Sequence, residues 1–458
     1  MDAIFATIGG GESAGNGDIP LQVIWLPLLF LFLAGLAALA CQRMKFSYSI
    51  GLVLLGLFVS WWGEAVELPL LSDAHLTENM VLYIFLPALI FEAALGLDVR
   101  SLRRNFAPII LLAAPGVIFA TFVTGVLVHW VTPLDWGQSF IFGALISTTD
   151  PVAVIAKFRE LKAPERLTMI VDGESLFNDA TAIVMFGIVV EIVSDGGDLA
   201  AGTLVLAVLR FFWVFAGGFL VGLAAGAVGC LFIRLGRNME RGLRRVLRVL
   251  FSICVAYGAF LLAQGLLGLS GVMASVGAGM VMSYWVRTRE SDRSLYHLRE
   301  YWNIAAFFGN SLIFLALGLT ERYLMGRYRL WEWLEPALLV CLAVLLARWL
   351  LVYGFVPLSN RLPGQEPIGS GYKAVMVWGG IRGALPVGLA VSLKPSDLGV
   401  APEAAADASR GLIILFTVTV VVFTLVAQGL SIRPLMRHYG LVESRQPPHP
   451  SDAPPGTN

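Results

Sequence analysis

The chain has 458 residues, of which 57% are hydrophobic and 14% charged, with a mean hydropathy of +0.77. Lys+Arg and Asp+Glu each number 32, so the net charge is zero and no nucleic-acid partner is supported. An ordinary soluble domain is about 25% charged, so this composition excludes a soluble globular protein and describes an all-α polytopic membrane protein.

The first twenty residues, MDAIFATIGGGESAGNGDIP, lack the basic stretch and long apolar core of a secretory signal. Apolar runs then recur at about the length of a membrane helix. Thirteen are expected, near 21–41, 48–66, 79–97, 106–131, 139–156, 168–193, 203–233, 249–266, 271–286, 302–319, 333–357, 374–392 and 411–430. The short eighth and ninth are divided only at LGLSG. The tail RQPPHPSDAPPGTN is proline-rich and is expected to be disordered. Cys41, Cys230, Cys254 and Cys341 lie far apart inside apolar runs, without metal-ligand spacing, and read as packing residues.

Basic residues orient the chain. One set of alternate loops holds 24 of the Lys and Arg residues and the other set holds five. The richer set is cytoplasmic, which puts the N-terminus outside and the C-terminus inside, and the clean bias agrees with an odd number of spans. Arg210, Arg348 and Arg382 fall within spans. For Arg210 and Arg348 the expectation is snorkelling or bracing another helix.

A carboxylate in the bilayer core costs roughly 3 kcal/mol or more, so polar groups inside spans point to function. The third span, in LPALIFEAALGLD, carries Glu92, which is open between packing and mechanism. His129, near the outer end of the fourth span, leaves a pH-sensing role open.

The fifth span contains ISTTDPVAV. Pro151 removes a helix hydrogen bond and pushes Asp150 out of helical geometry. Carbonyls near Thr148 and Thr149 are then freed, which membranes tolerate only inside protein or beside water. Carbonyls, hydroxyls and a carboxylate together suit a small hard cation such as Na+.

The sixth span opens as DGESLFNDATAIV. At about 100° per residue, Glu174, Asn178, Ser175 and Asp179 fall at roughly 0°, 40°, 100° and 140°, on one face of an otherwise apolar helix. Ser175 and Asp179, one turn apart, can converge on one ion. Asp172 reads as interfacial. Ser175 and Thr149 can alternatively satisfy backbone groups.

The ninth span, SGVMASVGAGM, is rich in small residues and is expected to pack closely. Asn310 and Ser311 of the tenth read as interhelical hydrogen-bonding groups. The twelfth, VMVWGGIRGALPVGLAV, sets Arg382 among Gly379, Gly380, Gly383 and Pro386, so a second broken helix is expected. A mid-membrane arginine needs a partner, and Glu174 is the expected one, in a bridge that is either structural or mechanistic. Spans five and twelve are seven apart and run in opposite directions. Interrupted helices at corresponding places in two halves are the mark of inverted-repeat transporters, with the site where they cross.

These residues resemble the monovalent cation:proton antiporter-1 family, the sodium/proton exchangers. The motifs FLPALIFEAAL, STTDPVAV, DGESLFNDATAIV, GLSGVMASVGAGM, FFGNSLIFLALGL and WGGIRGALPVGLA carry the resemblance in family order over about residues 80 to 430. It implies a thirteen-helix fold with inverted repeats. A core transport domain would comprise 106–195 and 326–440, and a dimerisation domain 1–105 and 196–325, with 441–458 as a cytoplasmic tail. It further implies a homodimer in contact with membrane lipid, elevator-like movement of the core, and a bacterial inner (plasma) membrane location. By motif position, Asp179 is the essential cation- and proton-binding acid, completed by Asp150, Ser175 and the backbone at Thr149. Asn178 and Asp179 match the family's Asn-Asp pair, Glu174 and Arg382 its core ion pair, and Glu92 its modulating third-span acid. Two departures are Asn303, where members often carry an acid, and Asp172, where they often carry Glu.

The implied activity is exchange of Na+, with Li+ or K+ as alternatives, for H+. It needs no cofactor, and the absence of a GxxxxGK[ST] loop argues against an ATP-driven pump. Asn178 removes one titrating group, which favours electroneutral one-for-one exchange serving pH and sodium homeostasis. A cation channel would want repeated filter loops. An intramembrane aspartyl protease, the enzyme reading, would want a GxGD-type motif. No repeated filter loop is found, and the one GxGD match, Gly15–Asp18, lies outside the expected spans and includes neither Asp150 nor Asp179.

Overall fold

In the computed structural model, residues 21–44, 48–65, 80–196, 201–289, 292–327, 330–400 and 403–442 are described. The N-terminal twenty residues and most of the proline-rich tail, and the expectations attached to them, lie outside the described residues. All regular structure among the described residues is helical. In chain order the helices are α1 (Leu21–Met44), α2 (Tyr48–Ala65), α3 (Leu86–Gly96, entered through a π-helical turn, Met80–Phe85), α4 (Val99–Arg104), α5 (Phe106–Ala113), α6 (Pro115–Val131), α7 (Trp136–Ile146), α8 (Val152–Glu160), α9 (Glu165–Ser194) and α10 (Ala201–Leu235). They continue with α11 (Arg241–Leu261), α12 (Gly271–Arg289), α13 (Asp292–Arg327), α14 (Leu330–Ser359), α15 (Ser370–Trp378), α16 (Ala384–Ser392), α17 (Glu403–Phe423) and α18 (Gly429–His438). A π-helical turn, Thr424–Gln428, joins the last two.

Six helical stretches among the described residues are long and apolar enough to cross a membrane: Phe106–Val131, Glu165–Ser194, Val205–Leu235, Gly242–Leu266, Trp333–Ser359 and Ala404–His438. Shorter apolar helices include Tyr83–Gly96 and Trp136–Ile146. The division at LGLSG is real: α11 ends in a π-helical turn, and Gly268 takes φ +62°, a left-handed conformation open to glycine, before α12 begins.

Local chemistry sets the breaks. α7 starts in a capping box, with Gln138 N–H donating to Asp135 Oδ1 at 2.8 Å and the Gln138 side chain returning to the Asp135 N–H at 3.3 Å. It stops at Ile146, where Pro151 prevents continuation, and α8 resumes at Val152. α15 and α16 are separated by Gly379–Gly383. Both interruptions fall where expected from the sequence.

Packing follows two groups. α5 and α6 lie against α14, α6 and α9 against α7, and α16 and α17 against each other and against α7. In the second group α10 lies along α12, α2 along α13, and α3 against both α12 and α13. The expected close packing of the ninth span is observed: a Cβ on Gly222 of α10 would strike the Ala274 backbone, and one on Gly277 of α12 would strike the Phe219 carbonyl.

Candidate functional site

The two interrupted helices meet. The Asp150 N–H donates to the Ile381 carbonyl at 2.7 Å, a backbone bond that ties one break to the other. Arg382, 3% exposed, reaches across and donates from Nη1 to the Ser147 and Thr148 carbonyls at 3.2 and 2.5 Å. These carbonyls sit at the C-terminal end of α7, where the helix leaves them without intrahelical partners and a positive charge is favoured. The Arg382 backbone N–H is held by Thr424 Oγ1 at 3.1 Å. Asp150 Oδ1 accepts the Val152 N–H at 2.9 Å, at the start of α8.

The polar face of α9 closes on this crossing. Asn178 Nδ2 donates to Thr149 Oγ1 at 2.7 Å, and Asn178 Oδ1 accepts the Thr149 N–H at 3.4 Å. The Ser175 hydroxyl donates to the Thr149 carbonyl. Thr148, Thr149, Ser175 and Asn178 are all buried. Asp150 and Asp179 lie within electrostatic range of each other and are both partly exposed. The Gly383 backbone packs so tightly on the Asp150 carboxylate that a Cβ would overlap it.

Glu174 corrects a sequence expectation. Its partner is Arg348 of α14, not Arg382. Arg348 Nη1 and Nη2 engage both Glu174 oxygens, the second at 3.0 Å, and Nε and Nη2 donate to the Met376 carbonyl at 3.2 and 3.0 Å. Met376 lies in the last turn of α15, whose carbonyls are released by the break, so one arginine satisfies both a buried acid and an orphaned helix end. Arg348 braces other helices as expected, but the sequence reading did not assign it to Glu174. The signal was an arginine inside LLARWLL, but spacing along the chain does not say which of two intramembrane arginines meets a distant acid.

Glu92 stands apart. Its charged neighbours are Asp172, Arg299 and Arg159, and neither Asp150 nor Asp179 is among them. His129 pins the α6–α7 turn, with Nδ1 at 3.0 Å from the Leu134 carbonyl and its ring stacked on Trp136 at 3.9 Å. Arg210 braces α9 through Glu191 at 2.7 Å. Ser311 makes the expected interhelical bond, to Tyr48 at 2.5 Å, and Asn303 is exposed. Among the described residues no group of three or more His, Cys, Asp and Glu gathers as a metal cluster.

Chemically, the crossing offers two carboxylates within electrostatic range of each other, with hydroxyl and carbonyl oxygens around the break. The nearby guanidiniums are engaged elsewhere, by Glu174 and by the α7 carbonyls. Two neighbouring carboxylates repel unless a proton or a cation lies with them.

The sequence profile described as "Sodium/hydrogen exchanger, transmembrane" matches residues 28–438. The chain belongs to the sodium/hydrogen exchanger family. Within this family it is 36% identical over 362 residues to the Na(+)/H(+) antiporter NhaP of Pseudomonas aeruginosa, covering 77% of this chain and 79% of that one. It is 31% identical over 421 residues to the Na(+)/H(+) antiporter NhaG of Bacillus atrophaeus, covering 90% and 74%. Its fold is that of the sodium proton antiporter MjNhaP1 of Methanocaldococcus jannaschii, with a TM-score of 0.71 at 20% identity over 91% of this chain and 98% of that one. The chain is an integral, multi-pass membrane protein.

Proposed function

We propose that the chain is a secondary active transporter that exchanges Na+ for H+ across the membrane. The observation that carries this reading is the crossing of two broken helices, bonded from Asp150 to Ile381, with the Asp150 and Asp179 carboxylates within electrostatic range of each other. Relatives named as Na(+)/H(+) antiporters at about a third identity support the same activity.

In this reading Asp179 and Asp150 hold either a cation or a proton, with Ser175 and the backbone at Thr149 completing the cation shell. Competition for one site couples the two fluxes, provided the empty charged site crosses poorly. Asn178 is held by Thr149 and does not titrate, so one cation replaces one proton and the exchange is electroneutral. Sodium is the cargo, and no cofactor or covalent chemistry is needed. The group formed by α5–α9 and α14–α18 would move as the core against a scaffold of α1–α3 and α10–α13, in an elevator-like step, within a thirteen-span homodimer contacting membrane lipid. The N-terminus would lie outside and the C-terminus inside. Glu92 would modulate the site from the cytoplasmic side. The physiological task would be pH and sodium homeostasis at the plasma membrane.

The test is acridine-dye dequenching in everted vesicles from antiporter-deficient cells, with a preset pH gradient and added sodium, lithium or potassium chloride. Sodium should dequench the dye, and Asp179→Asn should abolish the response with the protein correctly inserted. Full exchange by Asp179→Asn, or cation conductance without proton coupling as in a channel, would overturn the proposal.

A further inference from the structure

One buried side chain beside the crossing has no role in the site described above. Gln428 is 1% exposed, yet neither its Nε2 nor its Oε1 has a hydrogen-bond partner in the protein. It closes the π-helical turn Thr424–Gln428, an irregularity that recurs at functional positions.

Its neighbours on the same helix show where it faces. Thr424, four residues before, accepts the Arg382 backbone N–H at 3.1 Å and donates to its own helix at Val421. Ser431, three residues after, accepts Trp378 Nε1 at 2.7 Å and donates to its own helix at Ala427. Residues three and four apart share a helix face. Gln428 therefore sits between two hydroxyls that both hold the broken segment 378–382. The next residue, Gly429, turns its Cβ direction toward Ile381, at 3.7 Å from Cδ1. A second buried orphan lies in that segment: Arg382 Nε, whose Nη1 is already on the Ser147 and Thr148 carbonyls.

Buried polar groups are satisfied by protein or by ordered water, and a buried water needs two to four polar partners. The amide and the guanidinium provide a matching set. A water can accept from Arg382 Nε–H and from Gln428 Nε2–H and donate to Gln428 Oε1. We infer that Gln428 and Arg382 share a bound water, and that Gln428 is a positioning residue for the cation site. The relay runs from Gln428 through the water to Arg382, from Arg382 to the carbonyls of Ser147 and Thr148, and along that backbone to Asp150. It rests on the exchange reading for its functional consequence, but not for the water site itself.

The test compares wild type, Gln428→Met and Gln428→Glu of the full chain. Met keeps the length and removes both polar atoms, while Glu keeps hydrogen-bonding oxygens at the same reach. Sodium half-saturation and maximal rate are measured in everted vesicles, and melting temperature on purified protein. Gln428→Met should raise the sodium half-saturation concentration about fivefold, the scale of one water-mediated bond to a charged group. It should also lower the melting temperature, and Gln428→Glu should recover both. Replacing an idle orphan amide by an apolar chain is neutral or stabilising. A Gln428→Met protein that melts at or above wild type therefore overturns the water site. A lowered melting temperature with wild-type half-saturation overturns the positioning role. If wild type itself fails to exchange, the transport reading falls and the melting temperatures still decide the water site.

Discussion

Arg348 on α14 grips both carboxylate oxygens of Glu174 on α9, and both side chains are nearly sealed from solvent, at 6% and 2% exposure. The pair is a brace between helices, because the same guanidinium also takes the Met376 carbonyl at the end of α15. Removing one partner of a buried pair strands the other charge, at a cost of about 3–5 kcal/mol. Arg348→Met should therefore lose most folded protein in thermal melting followed by size-exclusion chromatography. Arg348→Met with Glu174→Met should recover much of it. In the same assay, Glu174→Gln and Arg382→Gln should couple more weakly than Glu174 and Arg348 do, since Arg382 donates to carbonyls and meets Glu174 only through its charge.

Gly383 is required by proximity. Its Cβ would overlap the Asp150 carboxylate, so Gly383→Ala must displace the acid or the break. Exchange should fall at least about tenfold, equivalent to about 1.4 kcal/mol, with expression unchanged. Gly187→Ala is the matched control: a Cβ there meets nothing within 4 Å, and alanine favours the helix by about 0.5–1 kcal/mol. Wild-type exchange by Gly383→Ala would contradict the placement of Asp150.

Asn178 secures Thr149 by two hydrogen bonds. Asn178→Ala leaves the buried Thr149 groups without those partners, a penalty of about 1–3 kcal/mol, and should weaken sodium binding more than it lowers the maximal rate. Asn178→Asp adds a third carboxylate beside Asp150 and Asp179. It should make transport in proteoliposomes respond to an imposed potential, whereas wild-type rates should not.

Asp98 is the N-cap of α4, at the loop after α3. Partial burial works to raise its pKa, but hydrogen bonds from Ser101 and from the Arg100 and Ser101 backbones, with the Arg287 charge, hold it below the ordinary carboxylate value. A depressed carboxylate stabilises the fold above its unfolded pKa near 4 and loses that contribution as pH falls through the folded value. Asp98→Ala should cost about 1 kcal/mol at neutral pH. The gap in melting temperature between variant and wild type should narrow below about pH 4, and a gap independent of pH would sink this account.

By itself the sequence determined the membrane class, both helix breaks and which acids and amide share one face of α9. Each rests on chemistry local to the chain: a proline after Asp150, glycines around Arg382, and one helical face that gathers Glu174, Ser175, Asn178 and Asp179. Such signals survive without knowing the fold, because hydrocarbon penalises every charge and every unpaired backbone group wherever it lies. Tertiary structure alone decided the partners. Glu174 faced a choice between Arg348 and Arg382, which lie 174 and 208 residues away along the chain, and helix period says nothing about which of two distant helices comes to lie against it. The fold answered by placing α14 beside the end of α15, where Arg348 satisfies an acid and a released carbonyl together, and by turning Arg382 onto the end of α7. The buried Gln428 amide was equally invisible in the sequence, since an amide in an apolar run gains meaning only from what surrounds it.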